Sequence, residues 1–317
     1  MKIVVTDGAA MNPGDLSWDE LEKLGDCDIY ERTSPEETID RCKDADIVVT
    51  NKVVFDKDVI EALPKLKCIA VTATGYNVID IEAANKKNIV VTNVPSYATN
   101  SVVQMVFALL LELCLHTAEH SRTVHGGKWT NCDNFCYWDY PLTELAGLTI
   151  GVVGFGRIGK AVANLAKAFG MKVIAYHITK PQKSDTDIEF VDLQNIFERS
   201  DVVSLHCRLT DKTNQFVNKE LLSKMKKTAF LINTSRGPVI NEQDLADALN
   251  SGQIAGAGLD VLSTEPPKQD NPLLTADNCL ITPHIAWATK SARQRLMDTT
   301  IENIKAFIQS KALNVVS

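Results

Sequence analysis

Gly154-Phe155-Gly156-Arg157-Ile158-Gly159 lies directly after Leu148-Thr149-Ile150-Gly151-Val152-Val153 and directly before Lys160-Ala161-Val162-Ala163-Asn164-Leu165-Ala166-Lys167-Ala168-Phe169. G-x-G-x-x-G between a strand and a helix is a turn suited to a dinucleotide. The first glycine permits the tight bend, the second lets backbone approach a pyrophosphate, and the third lets helix and strand pack closely. The helix N-terminus then offers free N–H groups to phosphate. Alone the motif is weak, because a glycine-rich turn with no ligand has the same pattern. Its flanks strengthen it: apolar and β-branched residues precede it, a small-residue helical pattern follows as far as Gly170, and a second strand, Lys172 to Tyr176, completes a βαβ unit.

The motif sits near the middle of 317 residues, so another folded unit precedes it, and the length allows about two domains. A composition of 45% hydrophobic and 23% charged residues is ordinary for a globular chain. The net charge of −7 argues against nucleic acid as a partner, since that affinity is largely cationic. Met1-Lys2-Ile3-Val4-Val5-Thr6-Asp7 reads as a strand rather than a signal peptide. The longest apolar stretch, Val102 to Leu115, is interrupted by Gln104 and Glu112 and falls short of the ~20 residues a bilayer requires; it is expected as a buried helix, with no membrane partner. Eight scattered cysteines do not form a disulfide pattern, which fits a reducing cytoplasm.

Short apolar runs alternate with polar helical ones. Ile3 to Thr6, Ile47 to Thr50, Cys68 to Thr72 and Ile89 to Asn93 are predicted strands; Trp18 to Leu24, Pro35 to Cys42, Asp56 to Leu63 and Ile81 to Asn85 are predicted helices. Beyond the motif, strands are expected at Asp201 to Cys207, Ala229 to Asn233, Gly256 to Val261 and Cys279 to Thr282, with helices at Lys219 to Met225 and Glu242 to Ser251. The alternation implies two α/β units with parallel sheets. A single long helix is expected from Ala98 to about His125, and another from Ser291 to Ile308. His125 to Pro141, carrying Trp129, Phe135, Tyr137, Trp138 and Tyr140, is expected as an aromatic loop in want of a partner surface.

Asn233-Thr234-Ser235-Arg236-Gly237, then Gly258-Leu259-Asp260-Val261 leading to Glu265-Pro266, then Thr282-Pro283-His284 resemble the D-2-hydroxyacid dehydrogenases across essentially the whole chain. Asn12-Pro13-Gly14-Asp15-Leu16-Ser17-Trp18 and His284-Ile285-Ala286-Trp287 are similar to that family's glycerate dehydrogenase, or hydroxypyruvate reductase, branch. The resemblance implies two doubly wound parallel-sheet domains, with a Rossmann cofactor domain (99–289) inserted into a flavodoxin-like substrate domain (1–98 plus 290–317), and an active site in the cleft between them. It implies reversible reduction of a small 2-oxo acid of the hydroxypyruvate or glyoxylate kind by NAD(P)H. Arg236 then holds the substrate carboxylate, His284 is the general acid and base, and Glu265 orients His284 and favours its charge. Thr74 and Gly75 bind the carboxylate through backbone N–H groups, Trp138 reaches the substrate, and Trp287 narrows the pocket. Gly154, Phe155, Gly156, Arg157 and Ile158 hold pyrophosphate, Cys207 walls the adenosine, and Thr234, Ser235, Asp260 and His284 lie near nicotinamide. Taken singly, Arg236, Glu265 and His284 also fit surface or turn roles, and Asp260 fits a backbone cap.

The usual acid about 20 residues past the glycines is replaced by His177, with Lys180 and Lys183 nearby and Arg208 after the His206-Cys207 pair. These residues admit NADP beside NAD, the latter being slightly favoured. His116 and His120, with Glu112 a turn earlier, have a spacing that can chelate metal, yet no distant ligand motif joins them; Cys132 and Cys136 lack a second pair, and no metal is assigned. A homodimer through 98–141 is expected. The alternatives are a non-enzymatic NAD-sensing interaction protein of corepressor type and a dehydrogenase for another 2-hydroxy acid such as D-lactate.

Overall fold

The computed structural model describes residues 1–177 and 188–317, which divide into two compact units, Met1–Ala98 with Trp287–Ser317, and Thr99–Ala286. Trp287, Ala288 and Thr289 thus group with the first unit.

The first unit is a five-stranded parallel sheet built from β1 (Lys2–Val5), β2 (Asp26–Ile29), β3 (Ile47–Thr50), β4 (Cys68–Val71) and β5 (Val90–Thr92), in the order β2-β1-β3-β4-β5. Side chains alternate across the sheet as the two-residue strand period requires. Val4, Val48, Ile69 and Val91 face one core with Phe55, Ile60 and Ala84. Ile3, Val5, Ile47, Val49, Cys68 and Ala70 face another with Leu296, Met297, Ile301 and Ile304 of the last helix, Lys290–Ile308. Helix starts follow local chemistry. Ser34 and Glu37 form a capping box ahead of Pro35–Cys42, and Asp56 and Asp80 accept from Val59 and Ala83 N–H groups. Arg293, 7% exposed, grips both oxygens of Asp15 and the carbonyls of Met11 and Ala288, tying the last helix to the 11–15 loop.

The second unit is a seven-stranded parallel sheet of β6 (Thr149–Val153), β7 (Lys172–Tyr176), β8 (Glu189–Phe190), β9 (Val202–Leu205), β10 (Phe230–Asn233), β11 (Gly256–Leu259) and β12 (Cys279–Ile281). The order is β12-β11-β10-β9-β6-β7-β8. Helices Thr99–Leu115 and Arg157–Ala168 cover one face, against Ile150, Val152, Val202 and Ile232. The opposite face packs on Leu193–Arg199, Lys219–Lys224 and Glu242–Asn250. In both units the chain reverses its direction of winding beside the first strand, between β1 and β3 and between β6 and β9. Crevices at the carboxyl ends of strands bind ligands at such switch points.

The expected α/β class with two doubly wound parallel sheets holds. The single helix expected from Ala98 to His125 does not. It breaks at His116, whose φ is +47°, into Thr99–Leu115 and Thr117–His125, bent by 55°. Glu112 explains the break: its carboxylate accepts from the Thr117 hydroxyl at 2.6 Å and the Ala118 N–H at 3.2 Å, supplying the new helix start with acceptors. His116 therefore does not share a regular helix face with His120, whose Nδ1 instead lies 2.8 Å from the His116 carbonyl. Among the described residues no single helix is long and apolar enough to cross a membrane, although this bent pair is by length and composition alone.

Candidate active site

Apart from Trp138, which lies in the loop after helix Thr117–His125, each site residue singled out in the second unit follows the carboxyl end of a strand, because parallel strands deliver all their C-terminal loops to one edge of the sheet. β6 runs into Gly154, β9 into His206 and Cys207, β10 into Thr234 to Arg236, β11 into Asp260 and Glu265, and β12 into His284.

The three glycines meet three different demands. Gly154 has φ +98°, and a Cβ there would stand 2.6 Å from the carbonyl carbon of His206. A Cβ on Gly159 would stand 2.2 Å from the Gly154 carbonyl oxygen. At Gly156 nothing lies within 4 Å of such an atom, and Gly156 caps helix Arg157–Ala168 without a side-chain acceptor. An open approach beside an uncapped helix N-terminus fits an anionic pyrophosphate. Thr234 adds a second sign of fit, since its Oγ1 is buried with no hydrogen-bond partner. Phe155 is 7% exposed and meets Phe190 edge-on at 5.2 Å, so its ring belongs to the core and only its backbone faces the turn.

Asn233, missed by sequence reasoning, shapes the turn after β10. Fully buried, it accepts from the Ser235 N–H at 3.0 Å and hydroxyl at 2.8 Å and donates to the Arg236 carbonyl at 2.9 Å. Arg236 is exposed, with one guanidinium nitrogen on the Ser235 carbonyl. Gly237 follows because a Cβ there would stand 1.9 Å from the Leu262 carbonyl carbon. The Arg236 turn and the segment leading to Glu265 are therefore in backbone contact.

His284 adopts φ +54° and donates its N–H to the Asp260 carbonyl at 2.8 Å. Its Nδ1 lies 2.6 Å from Glu265 Oε2. With Nδ1 committed to a carboxylate, Nε2 is the nitrogen left to exchange a proton. Asp260, 1% exposed, accepts from the Thr282 hydroxyl at 2.6 Å and from the N–H groups of Ile285 and Ala286 at 2.9 and 2.8 Å. Burial pushes its carboxyl above the ordinary value, against the pull of these donors. The local backbone cap is thus the geometry found for Asp260.

Next to the glycines, His206 and Cys207 are half-buried. Burial pulls the His206 imidazole down to about 4 and pushes the Cys207 thiol up to about 11, so both are neutral near pH 7. His177 follows β7 at the place of the usual acid, and Arg208 is exposed; Lys180 and Lys183 lie outside the described residues.

In the first unit, Thr74 and Gly75 follow the carboxyl end of β4. Thr74 is exposed, with its hydroxyl on the Val94 carbonyl at 2.8 Å. Asp7, also missed, accepts from the N–H groups of Asn51 and Lys52 at 2.8 and 2.6 Å and so fixes the neighbouring β3 turn. Trp287 packs on this unit's core and meets Tyr97 edge-on at 6.3 Å. Trp138 is 65% exposed.

Residues 107–286 match the model for the D-isomer specific 2-hydroxyacid dehydrogenase, NAD binding domain. The chain belongs to the D-isomer specific 2-hydroxyacid dehydrogenases. It is 51% identical over 321 aligned residues, covering 100% of both chains, to a protein of Blautia hydrogenotrophica named hydroxypyruvate reductase. It is 43% identical to a glycerate dehydrogenase of Methylorubrum extorquens, covering 90% of each. Among solved structures, an acyclic imino acid reductase, Bsp5, in complex with NADPH and D-Arg superposes with a TM-score of 0.87, at 34% identity and 100% coverage of both. This dehydrogenase is NAD(P)-dependent, and the expected family, fold and cofactor class stand.

Proposed function

We propose that this dehydrogenase reduces hydroxypyruvate, and more slowly glyoxylate, to the corresponding 2-hydroxy acid, with Arg236, Glu265 and His284 as its working residues. The observation that carries this reading is the 2.6 Å pairing of His284 with Glu265, together with an exposed Arg236 whose turn backs onto the Leu262 backbone, in a chain so similar over its full length to a hydroxypyruvate reductase.

As a 2-oxo acid is reduced, negative charge grows on the carbonyl oxygen, so the site needs a cation for the carboxylate and a proton for that oxygen. The planar fork of Arg236 can take the carboxylate and the carbonyl oxygen together. His284 passes its Nε2 proton to the oxygen during reduction and recovers it during oxidation, while Glu265 holds Nδ1 and accommodates the charge. A nicotinamide cofactor, bound through Gly154 to Ile158 and Thr234, supplies the hydride. In this proposal the 99–286 unit holds the cofactor.

Steady-state rates with hydroxypyruvate, glyoxylate, pyruvate and bulkier 2-oxo acids, each with NADH and NADPH, test this reading. Highest kcat/KM for hydroxypyruvate is expected; absence of turnover with every acid despite tight cofactor binding would overturn it. The partner is proposed to be a second copy of the chain. An apolar groove of about 490 Å³ runs between helices Thr99–Leu115 and Arg157–Ala168, lined by Val103, Phe107, Leu111, Leu165 and Phe169. The 126–141 loop exposes Phe135 (90%) and Trp138, and two such surfaces can cover each other. A monomer mass in analytical ultracentrifugation would refute the dimer. All eight cysteines are free, which supports the cytoplasmic setting.

A further inference from the structure

Glu265 stands on an exposed stretch: every residue from Ser263 to Asp270 is exposed, and no helix or strand lies between β11 and Asn271. Such a segment has little of its own to hold it, since exposed loops open at low free energy. Yet one of its carboxylate oxygens must stay 2.6 Å from His284 Nδ1.

Both ends of the stretch are gripped by a single side chain from elsewhere. Glu242, the first residue of helix Glu242–Asn250, accepts from the Ser263 N–H through Oε1 at 2.7 Å. Its Oε2 accepts from the Ser263 hydroxyl at 2.6 Å and from the Asn271 side-chain amide at 2.9 Å. Helix capping is already provided by Asn241, which accepts from the Asp244 N–H, so the Glu242 carboxylate is not needed there. Its three donors come instead from 21 and 29 residues away in the chain, and each bond is charge-assisted. A carboxylate also suits the first turn of a helix, where the backbone dipole favours negative charge. Beneath the segment lies Gly237, leaving no room for Leu262 to settle inward, and Glu265 Oε1 takes the Leu262 N–H at 3.2 Å.

We infer that Glu242 is a positioning residue for the reaction: it closes the 263–271 loop by its two ends and thereby holds Glu265 against His284. The inference rests on the roles proposed above for that pair. Glu242 touches neither His284 nor Arg236 through any bond in this network. Its removal therefore acts on proton transfer and leaves substrate and cofactor binding in place.

The test compares Glu242→Ala, Glu265→Gln and the double variant with the parent enzyme, reading kcat, KM for hydroxypyruvate and cofactor Kd. NMR of the His284 Nδ1–H proton in the free enzyme gives a readout that general loosening of the fold does not mimic. Glu242→Ala is expected to lower kcat about 10- to 100-fold, the size of effect a displacement of about 1 Å produces, with KM and cofactor Kd within about twofold and the Nδ1–H signal lost or exchange-broadened. The double variant is expected to be no slower than Glu265→Gln, because removing the grip costs nothing once the gripped carboxylate is gone. Glu242→Gln, which keeps one acceptor oxygen and the side-chain shape, is expected to fall between parent and alanine variant and carries the comparison if the alanine variant fails to fold. A shifted Glu265→Gln with an unaffected Glu242→Ala, or losses that multiply in the double variant, overturns the positioning role alone. A Glu265→Gln enzyme as fast as the parent overturns the functional reading, and the positioning role with it.

Discussion

His206 ties the pH dependence of folding to the cofactor turn. It follows β9 at the switch point, its ring nitrogen Nε2 lies 2.8 Å from the fully buried Ser204 hydroxyl, and its peptide forms the wall against which Gly154 is packed. Burial lowers its pKa from 6.5 to about 4. Above the higher value both folded and unfolded chains carry a neutral imidazole. Below it the unfolded chain takes up a proton that the folded chain refuses until about pH 4, so stability declines as pH falls through this window and levels out beneath it. Each unit of pKa difference corresponds to about 1.4 kcal/mol. Integrated from roughly pH 7.5 to 4.5, the contribution lost is about 2.5 kcal/mol, an upper value because the residue retains some solvent contact.

The assay is urea unfolding of the parent and His206→Gln across that range, with the difference between the two curves isolating one imidazole from all other titrations. Glutamine stays neutral and can still bond Ser204. The parent is expected to lose about 2 kcal/mol more than the variant on acidification, most of it below the ordinary imidazole value. Curves that run parallel at every pH refute the reasoning, since they mean that the folded chain accepts the proton as readily as the unfolded one.

Other outcomes follow from the site. Arg236→Ala should raise KM for the 2-oxo acid by at least about 100-fold, the cost of a lost charge-assisted pair, while cofactor Kd measured by fluorescence titration stays put. His284→Ala should keep substrate and cofactor binding and lose about 100-fold or more in kcat; a fully active variant removes it from the mechanism. Gly156→Ala should melt like the parent and bind cofactor about tenfold more weakly, whereas Gly159→Ala, whose added methyl meets backbone at 2.2 Å, should be destabilised by about 2 kcal/mol or more. Gly237→Ala should cost a comparable amount of thermal stability and much of kcat, because the displaced atoms belong to the backbone that leads to Glu265.

What could be read from the sequence was what local physics dictates. Pro35–Cys42 and Lys172–Tyr176 stand where their patterns put them, because a Ser-Pro start with a capping glutamate and a run of strand-forming residues determine structure without tertiary help. The elements overlooked were those whose pattern is muted. Asp26–Ile29 alternates charge with apolar residues at the edge of its sheet, Glu189–Phe190 is two residues long, and Leu193–Arg199 buries only Ile196 and Phe197. The break at His116 was invisible for a different reason: the helix pattern is continuous through it, and it follows from how one carboxylate, Glu112, spends its hydrogen bonds.

The same distinction separates the residues proposed for the chemistry from those that hold them in place. Gly154, Arg236, Glu265 and His284 stand out because chemistry restricts which residue type can serve. Asn233, Glu242 and Asp7 carry ordinary polar side chains at ordinary spacings, and what marks them is the set of donors they receive: two from Ser235, only two residues on, three from Ser263 and Asn271 at 21 and 29 residues, and two from Asn51 and Lys52 at 44 and 45 residues. The long-range pairings of Glu242 and Asp7 are properties of the folded sheet edge, where parallel strands bring together loops far apart in sequence. The proposed catalytic set is therefore written in residue types, and the Glu242 contacts proposed to position it exist only once the segments after β10 and β11 lie side by side. Substitutions at Glu242 should accordingly change rates, although its carboxylate bonds only Ser263 and Asn271 and none of Arg236, Glu265 and His284.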